Sequence, residues 1–128
     1  MTREAAAPGR QKAYHRGLRA ETWAAWTLRL KGYRIVARRV RTPFGELDLV
    51  ARRGRCLVFV EVKARTDMAT ALAAISPRQR QRIMRAAQAY LAYRPGYAAL
   101  DMRFDLVLLA PRMWPRHIVD AWRPLTAT

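Results

Sequence analysis

The alternation of apolar and polar positions changes period several times along the chain. From about Gly17 to Leu30 apolar residues recur at helical spacing, and Gly32 stands where a left-handed residue would end the helix. At about 100° per residue, Leu18, Glu21, Ala24, Ala25 and Leu28 fall on one side and Arg19, Trp23, Trp26 and Leu30 on the other. The first side predicts a stripe covering a sheet, on which the carboxylate of Glu21 is unexpected. The second predicts a contact with the protein's own C-terminal segment, around Trp114 or Trp122, or with a second copy in a homodimer.

Three extended segments follow, Tyr33 to Thr42, Glu46 to Ala51 and Cys56 to Arg65, with turn sequences Pro43-Phe44-Gly45 and Arg52-Arg53-Gly54-Arg55 between them. Ser76 and Pro77 supply the cap and first residue of a second helix running to about Tyr93, which Pro95-Gly96 ends. Arg103 to Ala110 reads as a buried strand and His117 to Trp122 as a short last one. The order α-β-β-β-α-β-β predicts an α/β fold, a mixed sheet flanked by helices. One domain is expected over 17–122, between a flexible basic arm over 1–16 and a tail over 123–128.

Charge narrows the partners. The 128 residues hold 25 basic and 9 acidic side chains, a net charge of +16, and only three of the bases are lysines. Such a field draws polyanions, so nucleic acid, DNA foremost, is the expected partner; a merely solvated arginine-rich surface is the bland alternative. Arg78, Arg82 and Arg85 share the face of the second helix opposite Ile83, Ala87 and Tyr90, and are the expected phosphate contacts. No apolar run approaches the roughly 20 residues of a spanning helix, so no membrane partner is expected. Cys56 stands alone, which excludes an internal disulfide and fits the reducing cytoplasm. His15 and His117 have no metal-ligand spacing around them and receive no role.

The acids are few and clustered. Glu46, Asp48 and Glu61, with Lys63, lie on two neighbouring strands. Side chains two apart on a strand share a face about 7 Å apart, giving the pairs Glu46/Asp48 and Glu61/Lys63. A two-residue turn at Arg53-Gly54 would set Glu46 opposite Glu61 and Asp48 diagonal to it, and register shifts of two keep all three carboxylates on one face. Opposed carboxylates repel, and oxygen-only donors suit a hard divalent ion, Mg²⁺ or Mn²⁺. The same residues also read as a solvated ion-pair face among abundant arginines.

Gly45-Glu46-Leu47-Asp48-Leu49-Val50 followed by Val60-Glu61-Val62-Lys63 resembles the GExDL…EVK signature of the YraN family of small bacterial proteins. That family resembles the PD-(D/E)xK nuclease superfamily and is similar to archaeal Holliday junction resolvases. The likeness extends from Gly17 to Trp122, taking in Glu21, Gly32-Tyr33-Arg34-Ile35, Ser76-Pro77 and Arg103-Phe104-Asp105-Leu106. It implies a restriction-endonuclease-like sheet and a metal-dependent endonuclease hydrolysing DNA phosphodiester bonds, branched or repair intermediates among them. Asp48 and Glu61 would hold the metal, Glu21 would be an accessory ligand, Lys63 would orient or activate the attacking water, and Asp105 would be a structural acid beside the site. Ala20 stands where the family usually has Gly, and the match between Thr66 and Ile75 is loose. A nucleic-acid-binding module without turnover, or a structural subunit with a basic surface, are the readings from other classes.

Overall fold

The computed structural model describes residues 8–123, with side chains from Arg19 onward. Helix α1 spans Pro8–Leu30, and is followed by strands β1 (Arg34–Thr42), β2 (Gly45–Arg53) and β3 (Cys56–Ala64). Helices α2 (Met68–Ala73) and α3 (Pro77–Ala92) come next, then a 3-10 turn at Pro95–Tyr97 and strands β4 (Asp101–Leu109) and β5 (Arg116–Trp122). The five strands form one mixed sheet in the order β1-β2-β3-β4-β5, antiparallel except for the β3–β4 pair. A parallel pair needs a crossover, and the segment carrying α2 and α3 provides it. None of the described helices is long and apolar enough to cross a membrane.

Two departures from the sequence reading concern boundaries. Helix α1 begins at Pro8 rather than near Gly17, so helical backbone covers much of the span expected as a flexible arm. Proline is well tolerated in the first turn of a helix, and Gly17 lies inside it. Residues 1–7 of that arm and 124–128 of the expected tail lie outside the described residues. Helix α2 occupies the stretch where the sequence pattern was loosest; Asp67 caps it, its Oδ1 accepting the Thr70 amide at 2.8 Å.

The helices cover both faces of the sheet. On one, Ala24 and Leu28 of α1 pack with Tyr33, Leu49, Ala51, Val58, Val60 and Val107. On the other, Ala71, Ile83, Ala87 and Tyr90 of α2 and α3 pack with Val50, Leu57, Phe59 and Phe104. Val58, Phe59 and Val60 alternate between the two clusters and are all buried, which is why the strand reads as a continuous apolar run. Rings stack through the second cluster: Trp122 on Phe104 with centroids 5.5 Å apart, and Phe104 on Phe59 at 5.7 Å. Gly32 closes α1 with φ +93°, as its place in the sequence predicts. Trp23, Trp26 and Leu30 lie on the exposed flank of α1; neither tryptophan suggested to cover them does so, since Trp114 is 88% exposed and Trp122 belongs to the ring stack.

Candidate active site

The β2–β3 turn is one residue later than Arg53-Gly54. Arg53 pairs with Cys56, so Gly54 and Arg55 form the turn, Gly54 at φ +60°. The pairing runs through Val50↔Phe59 to Leu49↔Val60 and stops. Continued by one rung, this register sets Asp48, rather than Glu46, across from Glu61. There the backbone ladder gives way to a side chain: the Val62 amide donates to Asp48 Oδ2 at 2.8 Å.

Strand β2 also changes face at this point. Leu47 packs on the α3 side and Leu49 on the α1 side, although residues two apart in a regular strand share a face. Pairing with β1 passes from Arg38↔Leu49 to Val40↔Leu47 across Arg39, whose backbone is left-handed at φ 51°. The irregularity separates Glu46 from Asp48, so these acids do not form the expected same-face pair. Glu46 is turned outward, 3.9 Å from both Arg39 and Arg41. For Glu46 the ion-pair face is therefore the arrangement found, and it does not join the proposed ligands.

Asp48, Glu61 and Lys63 do converge. Asp48 and Glu61 are close enough that each shifts the other's titration, and Lys63 Nζ lies 3.2 Å from Glu61 Oε2. Gln79 Nε2 donates to the same oxygen at 3.1 Å. Burial, then the charge of Asp48, push the Glu61 carboxyl from its ordinary 4.5 up to about 8, with Lys63 opposing. Asp48 is raised too, chiefly by burial, against the Val62 amide, Glu61 and Lys63. Glu21 is buried on α1, its Oε2 accepting Arg39 Nη1 at 3.0 Å and its Oε1 lacking a hydrogen-bond partner from the protein. Burial raises its carboxyl, Arg39 lowers it, and Asp48 is close enough to raise it again.

Among the described residues no three His, Cys, Asp or Glu side chains form a metal cage, so the expected set of four carboxylates is not assembled. The donor set still fits Mg²⁺, which is commonly held by one or two carboxylates and keeps water or substrate phosphate at its other positions. Asp48 and Glu61 are two hard oxygen donors whose mutual repulsion a cation would relieve, and the orphaned Glu21 Oε1 is a third oxygen nearby.

Burial of Glu61, with the charge of Asp48 beside it, sets a pH dependence. A carboxyl titrating near 8 when folded and near 4.5 when unfolded keeps a proton that the unfolded chain has released, so folding is progressively disfavoured as pH rises through that window. In chelator the melting temperature is expected to fall between about pH 5 and pH 8. Glu61→Gln should flatten that fall; a wild-type curve rising across the interval would contradict the buried pair.

Sequence reasoning missed Gln79 and Arg39. Ser76-Pro77-Arg78-Gln79 has the spacing of a capping box, and Ser76 Oγ does accept the Gln79 amide at 3.1 Å. The Gln79 side chain, which would ordinarily reach back to the cap, turns to Glu61 instead. That motif was the available signal for Gln79; Arg39 had none.

Asp105 is not beside this group. It projects to the α1 face from β4, fully buried, bound by Arg103 through two bonds at 2.9 and 2.8 Å, by His117 Nε2 at 2.7 Å and by the Asp120 amide at 2.9 Å. Arg103 continues to the Tyr33 hydroxyl at 2.6 Å, and His117 Nδ1 meets Lys31 Nζ at 2.8 Å. Burial presses the Asp105 carboxyl upward, but the bonds from His117, Arg103 and the Asp120 amide together hold it below its ordinary value. His117, without a role on sequence grounds, is thus one member of a hydrogen-bonded network joining β4, β5 and the end of α1.

Residues 20–109, which hold Glu21, Asp48, Glu61, Lys63 and Gln79, match the family described as uncharacterised protein family UPF0102. The chain is 61% identical over 112 residues to a UPF0102 protein of Parvibaculum lavamentivorans, covering 88% of this chain and 84% of the relative. It is 56% identical over 118 residues to one of Rhodopseudomonas palustris, with 92% and 87% covered. A relative from Nitrobacter winogradskyi is 52% identical over 113 residues, with 88% and 96% covered. The family match and these identities agree with the likeness to YraN read from the β2–β3 hairpin, and the chain belongs to the UPF0102 family.

Proposed function

We propose that this protein is a metal-dependent nuclease of the PD-(D/E)xK type, with a restriction-endonuclease-like sheet, hydrolysing DNA phosphodiester bonds. The observation that carries the reading is the convergence of half-buried Asp48 and buried Glu61, with Lys63 Nζ 3.2 Å from Glu61, where β2 parts from β3. A fold has little reason to bring two carboxylates together largely out of water unless a cation or substrate resolves them. Mg²⁺ or Mn²⁺, held by Asp48 and Glu61 with Glu21 as accessory, would polarise a phosphoryl oxygen and lower the pKa of a water. Gln79 fixes the Glu61 carboxylate, and Lys63 presents an ammonium that orients the water or meets the charge developing on phosphate.

The expected phosphate contacts stand on the helix that supplies Gln79. Arg78, Arg82 and Arg85 are exposed on α3 and, with Phe44 and Gln81, line an open cavity of about 460 Å³. The Arg82 stem lies over Gly45, where a Cβ would come within 3.2 Å of it and φ is +132°. A side chain at 45 would displace the arginine, so the glycine of the hairpin signature also seats the basic helix.

Replacing Arg78, Arg82 and Arg85 by Glu is expected to weaken DNA binding and reduce the slope of log affinity against log salt by about one unit per lost contact. Unchanged affinity at low salt would exclude α3 as the contact surface. The activity itself is tested with linear, flapped and four-way DNA in Mg²⁺, in Mn²⁺ and in chelator. Cleavage only with metal is expected; binding without cleavage in any condition would leave a nucleic-acid-binding module.

A further inference from the structure

We propose that the pocket between α1 and the ends of β3 and β4 takes a single unstacked nucleobase of a DNA strand whose backbone crosses Asp48, Glu61 and Lys63. The inference rests on the phosphodiester reading above and adds to it a local substrate feature, an unpaired base beside the scissile phosphate. The pocket has a volume of about 430 Å³, and Trp23, Ala64, Leu109 and Pro111 form its apolar lining. Arg19 and Arg65 complete it, one from each side.

Three observations select this occupant. First, Trp23 is 59% exposed although it lines a concavity, leaving an indole face available for stacking. Aromatic faces of this kind hold bases in single-stranded nucleic-acid sites. Second, the two guanidinium groups suit the phosphates flanking a base. An apolar peptide offers them nothing, and a second copy of a chain of charge +16 would bring more positive charge against them.

Third, the pocket and the candidate site lie at the same end of β3, on opposite faces of the sheet. Ala64 and Arg65 directly follow Lys63, and Trp23 is on the helix that carries Glu21. Side chains alternate along β3, so Lys63 faces α3 while Ala64 faces α1, and the end of this strand forms the rim between site and pocket. Arg65, just beyond the end of β3, lines the pocket two residues after Lys63, so one strand passing over the rim would meet both cations. A base reaches around the rim only by leaving its stack, which a fully paired duplex resists.

The test is equilibrium binding in chelator, by fluorescence anisotropy, of three labelled duplexes: fully paired, with one bulged nucleotide, and with an abasic residue at the bulge. Wild type is expected to bind the bulged base roughly 5- to 100-fold more tightly than the other two, the range of a base–aromatic stack. Trp23→Ala should erase that preference and Trp23→Phe retain part of it. Equal affinity of wild type for base and abasic bulges overturns the proposal, as does an equal loss on all three duplexes in Trp23→Ala. A lower mass of Trp23→Ala by light scattering would make the pocket a self-interface and likewise overturn it. Because no hydrolysis is measured, absence of cleavage beside an intact base preference counts against the nuclease reading and supports the pocket. Cleavage without the preference does the reverse.

Discussion

In Mg²⁺ or Mn²⁺, Lys63→Met is expected to cleave DNA about 10²- to 10⁴-fold more slowly than wild type while binding it as tightly. Methionine keeps an apolar stem of similar length but removes the ammonium 3.2 Å from Glu61, leaving both carboxylates in place. Metal binding then separates the roles by thermal unfolding. Metal at a hundredfold excess over its dissociation constant should stabilise wild type and Lys63→Met by about 2.7 kcal/mol, and Asp48→Asn and Glu61→Gln far less. In chelator Asp48→Asn should be as stable as wild type or firmer, since it relieves the contact with Glu61 and its amide oxygen can still accept the Val62 amide. A destabilised Asp48→Asn, together with no metal effect on wild type, would return the hairpin to an ordinary ion-pair surface.

Asp105→Ala is expected to cost about 3–5 kcal/mol, a fall in melting temperature of 10 °C or more for a domain of this size. The loss has a specific origin. An ammonium can only donate, so Lys31 donates to His117 Nδ1 and the ring proton sits on Nε2, facing Asp105. Removing the carboxylate strips acceptors from that ring nitrogen, from the Arg103 guanidinium and from the Asp120 amide. Arg103 is held well above the ordinary arginine range, first by its bond to Asp105 despite burial, and cannot escape by losing its proton. Because the network faces α1 and the Glu61–Lys63 pair faces α3, DNA cleavage per folded molecule should survive at low temperature. A loss under 1 kcal/mol on urea unfolding, or a cleavage defect matching Lys63→Met, would contradict this division of the two faces.

Much of the architecture was legible before any coordinates. Period-two and helical spacing located the five strands, α1 and α3, because each element faces a core on a known side and its apolar residues must follow that geometry. The glycine ending α1 and the Ser76-Pro77 cap of α3 were legible for a similar reason: their backbone requirements depend on few neighbours. The candidate acids were visible because carboxylates are scarce in this chain and Glu61 interrupts an apolar strand.

The composition of the site was decided elsewhere. Period-two reasoning put Glu46 beside Asp48, but β2 switches face at Asp48 where Arg39 of β1 turns left-handed, an irregularity that no local pattern announces. The turn at Gly54-Arg55 set the register, and Gln79 reached Glu61 only because the crossover returns α3 over the end of β3. Lys31 with Tyr33, Arg103 with Asp105, and His117 come from three separate stretches of the sequence, and only tertiary packing, the pairing of β4 with β5 included, brings them together. Sequence alone determined the elements and the stock of chemical groups, because backbone preference and burial act over a few residues. The tertiary structure decided which groups meet, because contact between side chains depends on register, strand irregularity and crossover, set by the packing of the whole sheet.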